Sequence, residues 1–181
     1  NNLIGQNLFD GEIYDPAHIN DIEPALFNSK HWNKGDVFIS SRHLSAIIHY
    51  RPSTNKVINY ITGPFYQQHD VDIISDKEIS IFNNNNSVLK NSAHSNILIY
   101  NFEDKQFSVK FNKELIKENF KTETQGLSEI LTDGSMLVEE QNHGRLIFLD
   151  KNGKKVWEYV NKTLNNEIYL LYWNRIIENK E

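Results

Sequence analysis

The chain has no cysteine, which removes disulfide staples, thiolate zinc sites and a cysteine nucleophile from consideration. It has no apolar run long enough to cross a bilayer, and no signal-peptide pattern opens it. Asn1-Asn2-Leu3-Ile4 reads like the middle of a longer protein. Charge of either sign is modest: 19 Lys and Arg against 24 Asp and Glu give a formal net charge of -5. A nucleic-acid or anionic-membrane surface needs a concentrated basic face, so neither partner is expected. Long blocks of like charge are also missing, which argues against a polyelectrolyte tail. The Asn tract from Asn83 to Asn86 reads as composition drift in a loop, and the glycosylation pattern at Asn161-Lys162-Thr163 as a chance match.

What is present is a repeat. Val37-Phe38-Ile39-Ser40, Ala46-Ile47-Ile48-His49-Tyr50 and Lys56-Val57-Ile58-Asn59-Tyr60 form one unit. Ile79-Ser80-Ile81-Phe82, Asn96-Ile97-Leu98-Ile99-Tyr100 and Gln106-Phe107-Ser108-Val109 form a second. Met136-Leu137-Val138-Glu139, Leu146-Ile147-Phe148-Leu149 and Lys155-Val156-Trp157-Glu158-Tyr159 form a third. The period is about fifty residues, and turn residues close each β-branched or aromatic run. A further strand precedes each unit, at His18–Ile22, His69–Ile73 and Gly126–Ile130.

Four strands per repeat predict an all-β fold, a β-propeller with three four-stranded blades over about 15–64, 65–120 and 121–165. A β-sandwich is the rival, but it has no reason to repeat one strand–turn order three times. Residues 1–14 are expected to end a preceding blade, with 166–181 as a terminal strand and tail. Asn112–Phe120 is the one stretch expected to form a helical turn or two. Three blades do not close a ring, so either upstream blades or a second copy of the chain, as a homodimer, complete it.

Inner strands line a propeller's channel, so residues at matching points of successive blades converge. His18 and His69 are read as such a pair, with Gly126 at the third point. Two imidazoles facing one channel suit a nucleophile with a general acid/base, or capping of blade-entry turns by hydrogen bonds. No HxH or HExxH spacing supports a metal. Asp21, Asp72 and Glu129 recur three residues later and read as turn-stabilising acceptors. Arg42 in Ser40-Ser41-Arg42-His43-Leu44-Ser45 is either a forked donor to an anion or half of a surface ion pair. His143 reads as a hairpin-turn residue; Trp32, Trp157 and Trp173 read as packing between blades.

Several motifs in order, His18-Ile19-Asn20-Asp21-Ile22, Gly35 to Ile47, Gln68-His69-Asp70 and Trp157-Glu158-Tyr159-Val160-Asn161, resemble bacterial arylsulfotransferases over roughly residues 15 to 175. The resemblance implies a six-bladed ring, a periplasmic or secreted location, and sulfuryl transfer from an aryl sulfate to a phenol through a histidine. It implies no cofactor and no nucleotide sulfate donor. His69 carries over best, then His18; as an enzyme the chain would use Arg42, read from the residues themselves, as a charge-stabilising donor. The family's active-site arginine follows this Gln-His-Asp strand, where the chain has Phe82-Asn83-Asn84-Asn85 instead. The alternative is a non-catalytic propeller that binds a small anion, a glycan or a protein.

Overall fold

A computed structural model describes residues 15–85 and 94–177; the stretch read as the end of a preceding blade lies outside them. Twelve strands form three antiparallel four-stranded sheets, each in chain order. The first contains β1 (Ile19–Pro24), β2 (Val37–Ser41), β3 (Ala46–Arg51) and β4 (Lys56–Ile61). The second contains β5 (Val71–Ile73), β6 (Glu78–Asn83), β7 (Asn96–Asn101) and β8 (Gln106–Lys110). The third contains β9 (Leu127–Ile130), β10 (Met136–Glu140), β11 (Arg145–Leu149) and β12 (Lys155–Val160). These are blades of a propeller, and Ile48, Leu98 and Ile147 sit in β3, β7 and β11 as expected. The one α-helix among the described residues, α1, covers Asn112–Lys117.

Side-chain alternation explains how the blades stack. Ile79, Ile81, Leu98 and Tyr100 point toward the first blade and pack with Trp32, Phe38, Ile47 and Ile61. Their neighbours Phe82 and Ile97 point the other way, against Met136, Val138, Ile147 and Leu149 of the third. A sheet covered on both faces needs apolar residues at successive positions, which is why five of the six residues of β6 are buried. The outermost strands, β4 and β12, are largely exposed.

Three expectations need correction. Glu167 to Trp173 forms no strand; it contributes one isolated bridge, Lys162 to Ile168. Trp32 is buried between blades, but Trp157 is 40% exposed and, among the described residues, stacks on Phe148 of its own blade, and Trp173 is 67% exposed. Asn83 and Asn84 are buried rather than loose. Asn83 Oδ1 accepts the Tyr66 and Asn85 N–H groups, and its Nδ2 donates to Asn96 Oδ1.

The repeat register also differs from a simple count along the chain. Val37, Ile79 and Met136 face Tyr50, Tyr100 and Leu149, so Ser40, Phe82 and Glu139 are equivalent three residues on. Opposite these lie Asp21, Asp70 and Leu127. One bond confirms the equivalence: Asp21 Oδ2 accepts the Val71 N–H, and Asp70 Oδ2 accepts the Ser128 N–H, both at 2.9 Å. The acid recurring between blades is therefore Asp21 with Asp70, not Asp72. The residue before it is Asn20, His69 and Gly126 in turn, and a bulge at Asn20 interrupts pairing between Ile19 and Asp21. His18 lies two residues upstream of the point that His69 occupies.

Candidate functional site

His18 and His69 nevertheless line one cavity of about 340 Å³ at the inner strands. They reach it in different states.

Asp15 holds His18 twice, its Oδ1 accepting the backbone N–H at 2.8 Å and its Oδ2 lying 2.8 Å from the ring Nδ1. This grip fixes a backbone at φ 45°, in the left-handed region that few non-glycine residues adopt. The His18 N–H lowers the Asp15 pKa further, so the carboxylate is ionised and takes a proton-bearing Nδ1. Nε2 then keeps its lone pair, and no hydrogen bond engages it among the described residues. Partial burial, and then the charge of His43, lower the His18 pKa and favour the neutral ring.

His43 stacks obliquely on His18, ring centroids 4.5 Å apart, and donates Nδ1–H to the Asp15 carbonyl at 2.8 Å. Its Nε2 is likewise left as the basic nitrogen. Arg42, next in the same loop, is half-buried and bonds through Nη2 to Gln67 Oε1 at 3.0 Å. It makes no ion pair among the described residues, so the surface salt bridge considered from the sequence is not what occupies it. Its charge bears on both His18 and His69.

His69 has both ring nitrogens committed. Asn84 Nδ2 donates to the carbonyls of Thr122 and Gln125, which turns Asn84 Oδ1 toward His69 Nδ1 at 2.7 Å. Nδ1 must therefore carry the proton, and Nε2 accepts the Gln125 N–H at 3.0 Å. This imidazole bolts the second blade to the third. Burial is the main cause that brings its pKa down to about 4. At the equivalent third point, Gly126 has φ 110°, and a Cβ there would collide with the Phe82 ring. A histidine cannot stand in that place without moving Phe82.

Asp21, Glu23, Asp70 and Asp72 gather on the inner strands. Burial raises all four pKa values, Asp70 well above the carboxylate range and Asp72 up to about 7, with Glu23 adding to Asp72. Arg175 is the cation they all feel, yet it pairs with none of them among the described residues. Glu129 accepts the Ile176 N–H, so it anchors the C-terminal segment rather than a turn. His143 occupies the β10–β11 turn, as expected, 3.3 Å from Glu140. Among the described residues, no group of three or more His, Asp or Glu is placed to hold a metal ion, and no helix is long and apolar enough to cross a membrane.

Asp15, His43, Gln67 and Asn84 were not singled out by sequence reasoning. Asp15 lies three residues before His18, and His43 directly follows Arg42. Both signals were legible, whereas Gln67 and Asn84 reach the site only through the fold.

A family model described as Arylsulfotransferase (ASST) matches residues 4–162. No curated protein matches the chain. Among solved structures, a Bacteroides caccae protein of unknown function is similar with a TM-score of 0.52 and 14% identity, over 73% of this chain and 47% of that one. The Kuenenia stuttgartiensis hydrazine synthase gives a TM-score of 0.47 and 15% identity, over 82% of this chain and 39% of that one. The first likeness concerns the fold alone. The chain spans less than half the length of either solved protein.

Proposed function

The chain belongs to the arylsulfotransferase family, and on that premise we propose that it transfers a sulfuryl group from an aryl sulfate to a phenolic acceptor through His18. The observation that carries the choice is the contrast in lone pairs. Nε2 of His18 is open, whereas both nitrogens of His69 are engaged. The order suggested by family resemblance, His69 before His18, is thereby reversed.

In this reading His18 Nε2 attacks the sulfur, an N–S bond forms, and the S–O bond to the aryl group breaks to release a phenolate. The ionised Asp15 orients the ring and stabilises the cationic intermediate, as carboxylates do for histidine nucleophiles and bases. Arg42 neutralises charge on the sulfuryl oxygens. The acceptor oxygen then attacks sulfur, the N–S bond breaks, and the acceptor's proton passes to His43 Nε2. His69 sets the wall rather than reacting. A periplasmic or secreted setting, as the family resemblance suggests, fits the absence of cysteine.

The test is turnover of 4-nitrophenyl sulfate with phenol by the complete protein. His18→Ala is expected to lose at least about a hundredfold in kcat, while His143→Ala, at an exposed turn, stays near wild type. His69→Gln should lower the melting temperature more than it lowers kcat per folded molecule. An active protein indifferent to His18→Ala sinks the assignment. A complete protein with no turnover at all leaves the binding-propeller alternative in its place.

A further inference from the structure

The C-terminal segment repeats the start of a blade. Ile176-Ile177-Glu178-Asn179-Lys180-Glu181 follows the order of Ile73-Ile74-Ser75-Asp76-Lys77-Glu78, with Ile, Ile, Lys and Glu in common. The hydrogen bonds keep the same register. Glu129 Oε2 accepts the Ile176 N–H at 2.9 Å, and the Ile73 N–H favours the ionised Glu23 in the same way. Glu23 and Glu129 each stand two residues after the equivalent points Asp21 and Leu127. Asn174 therefore matches Val71 and Ser128, whose N–H groups go to Asp21 and Asp70. Leu127 has no carboxylate for that bond. Glu139, paired directly opposite Leu127, supplies it and accepts the Asn174 N–H at 3.0 Å. A residue with a left-handed backbone precedes each such stretch: His18, Gln67, Gln125 and Trp173 in turn.

Residues 172–177 thus lie beside the third blade as the inner strand of a fourth would. In that register Tyr172 is the counterpart of Asn20, His69 and Gly126. All four line the one cavity, and so does the residue that follows each of them. The cavity is therefore the mouth of the channel, ringed by matching positions of successive blades. Three of these positions hold no side chain open to a ligand. Asn20 donates to the Gln68 carbonyl and its Oδ1 is buried; His69 has both nitrogens engaged; Gly126 has no side chain. Tyr172 is 56% exposed, and no hydrogen bond engages its hydroxyl among the described residues.

We infer that Tyr172 is the aryl-recognition residue of this cavity, its ring packing against the aromatic ring of the bound molecule. Aromatic pairs in offset or edge-to-face arrangements attract one another beyond the area they bury. Leu127 and Trp173 add apolar surface to the same cavity, and His18 adds its open Nε2. That combination suits a molecule with one flat apolar end and one reacting end. Calling the molecule a sulfuryl donor or acceptor rests on the transfer reading above; its recognition by Tyr172 does not.

The test is calorimetric titration of the intact protein with 4-nitrophenol, read without a sulfuryl donor so that binding is scored apart from turnover. Tyr172→Ala is expected to weaken binding about tenfold, while Tyr172→Phe, which keeps the ring, stays within about twofold of wild type. If Tyr172→Ala does not fold, Tyr172→Leu, which keeps bulk without an aromatic face, takes its place. With 4-nitrophenyl sulfate as donor, the ringless variant should show a raised KM with kcat changed less. Ring-dependent binding by a protein that turns nothing over supports the Tyr172 site and overturns the transfer reading alone. Turnover accompanied by equal 4-nitrophenol binding in wild type and the ringless variant overturns the Tyr172 site alone. No binding of 4-nitrophenol by the wild type, or an equal loss in Tyr172→Phe, overturns it as well.

Discussion

His69 is held uncharged at neutral pH by burial first and then by the neighbouring charges of Arg42 and His18. An unfolded histidine titrates near 6.5, while this one titrates at about 4. Between those values the unfolded chain binds the extra proton, so the contribution of His69 is present above the window and lost as pH falls through it. The whole shift corresponds to roughly 3 kcal/mol. Asp72 acts in the opposite sense, because its folded pKa is raised to about 7. Its contribution is present at acid pH and lost as pH rises toward that value. The two effects oppose each other in the wild type, so a difference measurement is needed. The stability advantage of wild type over His69→Gln, from urea unfolding, should be larger at pH 7.5 than at pH 4.5 by about 2–3 kcal/mol. A difference independent of pH would show that His69 is not buried as the neutral ring.

At the scale of strands and turns, the fold departs from strict repetition wherever one blade must fit the next. The bulge at Asn20 lets Asp21 reach the Val71 N–H in the place that Asp70 takes for Ser128. Gly126 stands where a side chain would strike Phe82, itself part of the core between the second and third blades. Gly126→Ala adds both a clash and an unfavourable positive φ, and should cost about 2 kcal/mol or more. In a Phe82→Leu background the smaller side chain relieves the clash but not the backbone strain. The additional cost of Gly126→Ala there should fall by about half, as read from thermal melts. Equal costs in both backgrounds would mean that Phe82 is not what excludes a side chain. A buried network steadies the first blade similarly: Asp36 accepts from both Arg51 Nε and Nη2 at 2.7 Å and lies 2.8 Å from His49 Nε2.

Across the whole molecule, the two apolar cores lie between blades rather than inside them. No sheet has a core of its own, so the three are expected to unfold together. Trp32 emission reports the first interface, and far-UV circular dichroism reports all strands. The two urea transitions should coincide within error, and Trp32→Phe can identify the emission that belongs to that interface. A separate early transition in either probe would make the blades independent units. The outer strands still expose Val57, Tyr60, Val156 and Tyr159.

Strand content, blade order and the turn at His143 were legible in the sequence because they rest on local physics: β-branched alternation, turn residues and a repeat of about fifty residues. The pairing of His18 with His69 at one cavity was legible too, though from an equivalence that the bulge displaces. Which imidazole is open was not. The answer depends on Asn84 and Gln125, fifteen and fifty-six residues from His69, and on the hydrogen bonds that turn the Asn84 amide. The polar character of Asn83 and Asn84 suggested a solvated loop, because sequence alone does not reveal that Asn83 is satisfied within its own blade and the Asn84 amide by carbonyls of the next one. Trp173 and Glu139 are thirty-four positions apart in the chain yet share one cavity wall. Local pattern set the strands; packing of one blade on the next decided which side chains are spent on structure and which remain available to a ligand.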